Sequence, residues 1–210
     1  MVINGLPFTL FERYLLKTIE NTHNILDIGT SHKFAKELKP YEALLKERGY
    51  VAAGYQPSLT YGEYNCDCHQ DIEKMSFMDN AFESILCLEV LEHVKNPFQA
   101  VHELKRVLTK EGRLLLSVPF LTQYHGKGNH HSHESYPDFW RFTHEGLREL
   151  FQDFHHIEIV PLDGPIEFRL KQFYLGKYID RFGLLRWFVD AIDTPRLGKA
   201  TSRHLLFGIK

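Results

Sequence analysis

Cysteine is scarce and odd in number: the chain has only Cys66, Cys68 and Cys87. So small a set argues against a disulfide framework and for a reducing compartment. A basic excess is also lacking. The formal net charge is −2, whereas nucleic-acid and anionic-membrane surfaces draw on surplus Lys and Arg, so no nucleic-acid partner is expected. No apolar run approaches the roughly 20 residues of a spanning helix. The opening MVINGLPFTLFERYLL carries no basic segment leading into an apolar core and cleavage site, the pattern of a secretory signal. These absences set a cytoplasmic expectation. Repeats, low-complexity tracts and an interdomain linker are missing as well. At 210 residues, 43% hydrophobic and 25% charged, the expected organisation is one globular domain over 1–210.

What is present centres on AFESILCLEVLEHV, Ala81 to Val94. Ile85-Leu86-Cys87-Leu88 runs without a charge and then gives way to Glu89, Glu92 and His93. A short, uniformly apolar run suits a strand covered on both faces, as in a parallel sheet flanked by helices. The polar groups fall just past its carboxyl end, where open α/β sheets place their ligand crevice.

Along the chain, positions 7–21 read as an amphipathic lead-in helix with Phe8, Phe11, Leu15 and Ile19 on one face. An apolar strand over 24–29 ends in Asp27-Ile28-Gly29 and the polar Thr30-Ser31-His32. A helix is expected from about Lys33, interrupted at Pro40 and ending before Gly49. Further strands are expected at 50–54, weakly at 66–70, and at 113–118, 157–161 and 204–209. Helices fall at 96–108 and 144–151, with an aromatic-rich helical insertion over 166–192. Strands alternating with helices predict a parallel, doubly wound α/β sheet.

Three strand ends would then meet at one crevice. Gly29 lets the backbone approach a ligand, and a helix after it would offer unpaired N–H groups. Asp71 could accept a hydrogen bond from an exocyclic amine such as the adenine N6. Leu88-Glu89 closes the central strand. Each has a plainer alternative: a turn for Asp27 and Gly29, a helix N-cap for Asp71, and surface groups on a first helical turn for Glu92 and His93.

With these segments in place, the sequence resembles the class I S-adenosylmethionine-dependent methyltransferases, in the methyltransferase-11-like branch. The likeness lies in Phe82 to Val94, Ile25 to Gly29, Asp71 to Phe77, and Glu103 to Leu108 through Gly112-Arg113-Leu114. It implies a Rossmann-like, mostly parallel seven-stranded sheet, last strand antiparallel, with helices on both faces. It also implies S-adenosylmethionine as cofactor. Asp27, Gly29, Thr30 and Ser31 would face the methionine part, and Asp71 and Ile72 the adenine. Leu88 and Glu89 would line the sulfonium end, with His93 a little beyond. Two features depart from the family. Ser31 and Lys33 replace loop glycines, and the second strand ends without a ribose-binding acid, leaving Tyr55 to stack and Gln56 to hydrogen-bond. Loss of a charge-assisted pair costs about 1.5–3 kcal/mol, so cofactor affinity is expected to be lower by about ten- to a hundredfold.

The stretch 119–143, PFLTQYHGKGNHHSHESYPDFWRFT, leaves the strand beside the central one and reads as an acceptor lid. Methyl transfer to a hydroxyl needs alignment and proton removal. His125 is the expected base, being the earliest histidine after the strand. Asp138 and Arg141 form an expected ion pair holding the lid, with Tyr136 and Trp140 as acceptor walls. No metal is assigned. His130-His131-Ser132-His133 could ligate zinc but has no partner at a recognised spacing, and Cys66-Asp67-Cys68-His69 lacks a second pair. Phe168 to Ile192, aromatic and basic, reads as an extra helix or dimer contact, with peripheral contact to a membrane or lipid-linked substrate as the alternative.

The expected function is methyl transfer to a small-molecule hydroxyl, glycan-type or lipid-linked, by a monomer or homodimer. A catalytically impaired binding or scaffold protein is the alternative. A NAD-binding oxidoreductase fits less well, since Gly29-Thr30-Ser31-His32-Lys33-Phe34 lacks the dinucleotide glycine pattern.

Overall fold

A computed structural model describes residues 2–3, 6–7, 9–30, 32–34, 37–55, 65–126, 137–163, 169 and 201–210. The insertion expected over 166–192 lies outside these apart from Arg169, as do Ser31, Gln56, Tyr136 and the His130–His133 cluster.

Two short antiparallel strands, β1 (Val2–Ile3) and β2 (Leu6–Pro7), precede α1 (Leu10–Ile19). Helix α1 starts at Leu10, later than expected, because Thr9 and Glu12 form a reciprocal capping box. The main sheet comprises β3 (Ile25–Ile28), β4 (Tyr50–Gly54), β5 (Cys68–His69), β6 (Phe82–Leu88), β7 (Leu108–Pro119), β8 (His156–Pro161) and β9 (Arg203–Ile209). Its order is β5-β4-β3-β6-β7-β9-β8, seven strands. Strands β3 to β7 pair in parallel, while β9 is antiparallel to both β7 and β8. The expected antiparallel last strand is therefore present, inserted between β7 and β8.

Alternation along the strands divides the core in two. Leu26, Ile28, Ile85, Cys87, Leu114 and Leu116 face one side, where α3 (Pro97–Val107) and α4 (His144–Leu150) pack. Ile25, Leu86, Leu115 and Leu205 face the other, against Leu15 and Ile19 of α1 and Leu45 of α2 (Glu42–Glu47). Covering both faces requires a strand with no polar side left over. In β6 even Ser84 is fully buried, its hydroxyl donating to the Thr18 carbonyl at 2.7 Å.

The helix expected directly after β3 does not form over Lys33 and Phe34. Both lie in a turn, and Phe34 has φ 55°. The Lys33 N–H donates to the Asn65 carbonyl at 2.8 Å beside a parallel bridge from His32 to Asn65. Long-range pairing thus takes the N–H that a helix start would have presented to a ligand. Regular helical structure resumes as a 3-10 turn at Lys39–Tyr41, opened by Pro40, and continues into α2.

Segment 71–79 is fastened to α3. Glu103 Oε2 accepts from Met75 N at 2.8 Å, and Arg106 donates to the carbonyls of Phe77 and Met75 at 2.8 and 3.0 Å. Arg106 also pairs with Glu103 and Asp79, at 2.8 and 2.7 Å. Replacing Glu103 with Ala should therefore lower unfolding free energy by about 2–4 kcal/mol in urea melts, since it strands a buried N–H and a guanidinium. A loss below about 0.5 kcal/mol would contradict this role.

Asp27 in β3 gives a pH signature. Its carboxyl is buried, and burial pushes it up to about 7, partly offset by the Tyr50 hydroxyl that donates to it. The folded state then holds a proton that the unfolded chain releases near pH 4, so Asp27's contribution is intact below that value. It falls as pH rises toward 7. Thermal melts of Asp27→Asn should show a weaker loss of stability than wild type between pH 5 and 8. Parallel pH profiles would refute the assignment.

Candidate active site

Strand order reverses between β3 and β6, and such a switch point opens a crevice beyond the carboxyl ends of the strands. Both strands leave the sheet through left-handed residues there, Gly29 with φ 86° and Glu89 with φ 54°. Their N–H groups are held by Ala53 O at 2.8 Å and Ser117 O at 3.0 Å. Gly29 is required by packing: a Cβ there would sit 2.4 Å from a Val90 methyl. Its other side is exposed, as are Tyr55 after β4 and Asp71 after β5.

The predicted residues are distributed as follows. Thr30 donates its hydroxyl to the His32 carbonyl at 2.7 Å. Lys33, which stands in place of a loop glycine, pairs with Asp67. Asp71 forms an Asx turn, one carboxylate oxygen accepting from Glu73 N at 2.9 Å, while its side chain stays exposed and Ile72 beside it is buried. Glu73 in turn caps the loop after β6, accepting from Lys95 N at 2.8 Å and Asn96 N at 3.1 Å. The segment after β5 and the β6 exit are therefore one hydrogen-bonded unit. Leu88 and Glu89 lie partly buried at that exit, and Glu89 Oε1 is buried with no hydrogen-bond partner among the described residues.

After β6 the chain makes a 3-10 turn at Leu91–His93. Glu92 is fully buried, not the surface group that a first helical turn allowed. Burial and the neighbouring Glu89 charge push its carboxyl up to about 8. The segment that follows β7 docks on this turn, Phe139 N donating to Glu92 O at 2.7 Å and the Trp140 indole Nε1 to Val94 O at 2.8 Å. His93 Nδ1 meets Pro137 O at 2.6 Å, and its Nε2 lies 3.7 Å from Glu92 Oε1. Burial pushes the His93 imidazole below its usual range.

His125, from the loop after β7, reaches the same place. Its Nε2 lies 3.5 Å from Glu92 Oε1 and its ring stands edge-on to His93, centroids 5.2 Å apart. Asp138 Oδ2 accepts from His125 N at 2.8 Å and lies 3.4 Å from its Nδ1. The Asp138–Arg141 pair is bidentate, and the guanidinium holds the Asp138 carboxyl down at about 2. Arg141 also donates to the carbonyls of Thr122 and Gln123 at 3.0 and 2.9 Å, tying residues 137–141 to the chain leaving β7. Trp140 is partly exposed over this edge. Sequence reasoning passed over Glu92 as a site residue. The available signal was its place beside His93, three positions after Glu89, at the exit of the central strand.

The pattern of the family described as "Methyltransferase domain" matches residues 26–116, the segment from β3 through β7 that builds this edge. Three solved structures share the fold. A methyltransferase from Methanosarcina mazei, described as SAM-dependent, is 15% identical, with 97% of this chain and 99% of that one covered and a TM-score of 0.54. A putative methyltransferase in complex with the Haloferax volcanii Trm112 activator is 17% identical, covering 95% and 88%, also at 0.54. Haemonchus contortus phosphoethanolamine N-methyltransferase 2, in complex with S-adenosyl-L-methionine, is 15% identical at 0.54, covering 94% of this chain, which spans about half (51%) of that one. An uncharacterised protein of Methanocaldococcus jannaschii is 42% identical over 48 residues, 23% of this chain and only 21% of the relative. The seven-stranded order, the methyltransferase-domain pattern matched from β3 to β7 and the architecture shared with these structures agree on one α/β fold, in which residues 26–116 resemble a methyltransferase domain.

Proposed function

We propose that the protein transfers a methyl group to a hydroxyl of a small-molecule acceptor of glycan type or carried on a lipid. The observation that carries this proposal is the meeting of His125, His93 and buried Glu92 at the exit of β6. That edge is where methyl transfer would occur in this fold, and a hydroxyl acceptor needs help to lose its proton.

S-adenosylmethionine supplies a methyl group on a sulfonium. The residues present fit it in part. Asp71 offers an exposed carboxylate beside the buried, apolar Ile72, a combination suited to an adenine amine and ring. Asp27, Gly29 and Thr30 border the methionine side, and Leu88, Glu89 and His93 the sulfonium side. Glu89 Oε1, buried with no hydrogen-bond partner among the described residues, lies on that side. Ser31 and Gln56 complete the proposed set from outside the described residues.

On the acceptor side, His125 Nδ1 faces the Gln123 carbonyl at 3.3 Å and the Asp138 carboxylate at 3.4 Å. A carbonyl can only accept, so Nδ1 carries the hydrogen and Nε2 is the basic nitrogen. Asp138 and Arg141 act as positioning residues that hold the His125 backbone, and Trp140 walls the acceptor. The scaffold alternative draws on the Lys33 N–H being committed to Asn65, which removes one contact from the cofactor loop. Among the described residues no helix is long and apolar enough to cross a membrane. We further assign the protein to the cytoplasm, as a single domain.

Calorimetry with S-adenosylmethionine, S-adenosylhomocysteine and NAD separates these possibilities. The first two should bind and NAD should not; silence for all three favours a scaffold. Asp71→Ala should weaken S-adenosylmethionine about tenfold, the value of one hydrogen bond, and unchanged affinity would remove its adenine role. His125→Ala should keep cofactor affinity while S-adenosylhomocysteine release with a sugar or polyprenyl-linked hydroxyl acceptor falls by about 10²–10⁴. Full turnover in that variant would reject its part in activating the acceptor.

A further inference from the structure

Glu92 is fully buried, yet neither of its carboxylate oxygens has a hydrogen-bond partner among the described residues. A buried carboxylate without a partner is costly and rare, and native proteins resolve it with a proton, a cation or water. The groups around it indicate which. His93 Nε2 and His125 Nε2 approach the same oxygen, Oε1, at 3.7 and 3.5 Å. These separations are too long for hydrogen bonds. The 3.5 Å separation matches, and the 3.7 Å one slightly exceeds, the spacing of ligands around one shared ion, since bonds of about 2.0–2.2 Å in tetrahedral array set neighbouring donors roughly 3.3–3.6 Å apart. All three ligand atoms lie within 4.8 Å of one another.

The outer partners are arranged for the same end. His93 Nδ1 is 2.6 Å from Pro137 O, and His125 Nδ1 is 3.3 Å from Gln123 O with Asp138 Oδ2 at 3.4 Å. Carbonyls accept, so both imidazoles carry their hydrogen on Nδ1 and turn the Nε2 lone pair toward Glu92. Metal-bound histidines are typically oriented in this way, by a carbonyl or carboxylate on the far nitrogen. Charge points in the same direction. The Glu92 carboxylate lies within electrostatic reach of Glu89 and Asp138, and the Arg141 guanidinium opposes all three.

We propose that Glu92, His93 and His125 bind a first-row divalent cation of the Mn²⁺, Fe²⁺ or Zn²⁺ class. Two imidazole nitrogens and one carboxylate oxygen suit these ions better than Mg²⁺, which prefers an all-oxygen shell. Three protein ligands leave a position for an oxygen from water or substrate. Resting on the methyl-transfer proposal above, that position takes the acceptor hydroxyl. Bound to the cation, the hydroxyl releases its proton to solvent water and the oxygen keeps the electron pair. His125 is then a ligand, and proton removal is driven by the cation. The ligand set uses neither the His130–His133 cluster nor Cys66 and Cys68.

The test is cation binding by the untagged, chelator-treated protein without cofactor or acceptor. Calorimetry with Mn²⁺ and Zn²⁺, and visible absorption with Co²⁺ as probe, should show one equivalent bound, with Mg²⁺ much weaker. Glu92→Gln, which keeps shape, and His93→Ala should each weaken Co²⁺ and Mn²⁺ by at least about a hundredfold, more than loss of an outer partner. Cys66→Ser should leave binding unchanged. Far-ultraviolet circular dichroism and thermal melts establish that the variants fold. Absence of Co²⁺, Mn²⁺ and Zn²⁺ binding in the wild type overturns the proposal, as does undiminished binding in folded Glu92→Gln and His93→Ala. S-adenosylmethionine binding measured separately keeps the two proposals apart. Cofactor binding without cation binding sinks only the cation site; cation binding without cofactor binding leaves the site standing and sinks the methyl-transfer proposal.

Discussion

Strand β6 is hydrogen-bonded on both edges and covered on both faces, and this constraint shapes everything around it. A strand so enclosed can hold charged groups only at its ends, and a polar one such as Ser84 only with its hydrogen bond satisfied. The chain meets the requirement abruptly: Ile85, Leu86 and Cys87 are fully buried core, and Glu89 turns through a left-handed conformation into the crevice. Because strand order reverses beside β6, the loops of β3 and β7 border the same opening. One buried strand therefore gathers Gly29, Glu89, Glu92, His93 and His125 at one edge.

Side-chain bonds over long sequence separations keep that edge in place. Glu73 caps the loop after β6, Glu103 and Arg106 hold segment 75–79, and Arg141 binds residues 137–141 to the exit of β7. These bonds are charge-assisted or made to backbone groups with no alternative partner, the kind that fix geometry more than they add stability. The side of the crevice bordered by the exits of β6 and β7 is the more acidic and the more buried. The side after β5 is open, with Asp71 exposed.

Much of the architecture was legible in the sequence because both-face burial writes itself as run length. Ile85 to Leu88 and Leu114 to Leu116 could hardly be anything but interior strands, and the alternation of helices between them fixed parallel pairing. The Asp138–Arg141 ion pair, expected within residues 137–143, is also present. Other features depend on contacts distant in sequence and left no local trace. Lys33 looked like a helix start because nothing nearby signals that its N–H will meet the Asn65 carbonyl. Glu92 looked like a surface residue because nothing local signals that Phe139 and Trp140 will dock on the backbone of the β6 exit from beyond the next strand. A carboxylate reads as exposed in any local window, so the most buried acid of the site was the one that local pattern could not identify.

The account rests on the crevice at the carboxyl ends of β3 and β6 being a cofactor site. A crystal structure with S-adenosylhomocysteine addresses this most directly. The adenine should lie against Asp71 and Ile72, with the thioether sulfur beside Leu88 and Glu89 on the side of His125. Side chains filling the space between Gly29, Asp71 and Glu89, or the ligand bound elsewhere, would contradict it.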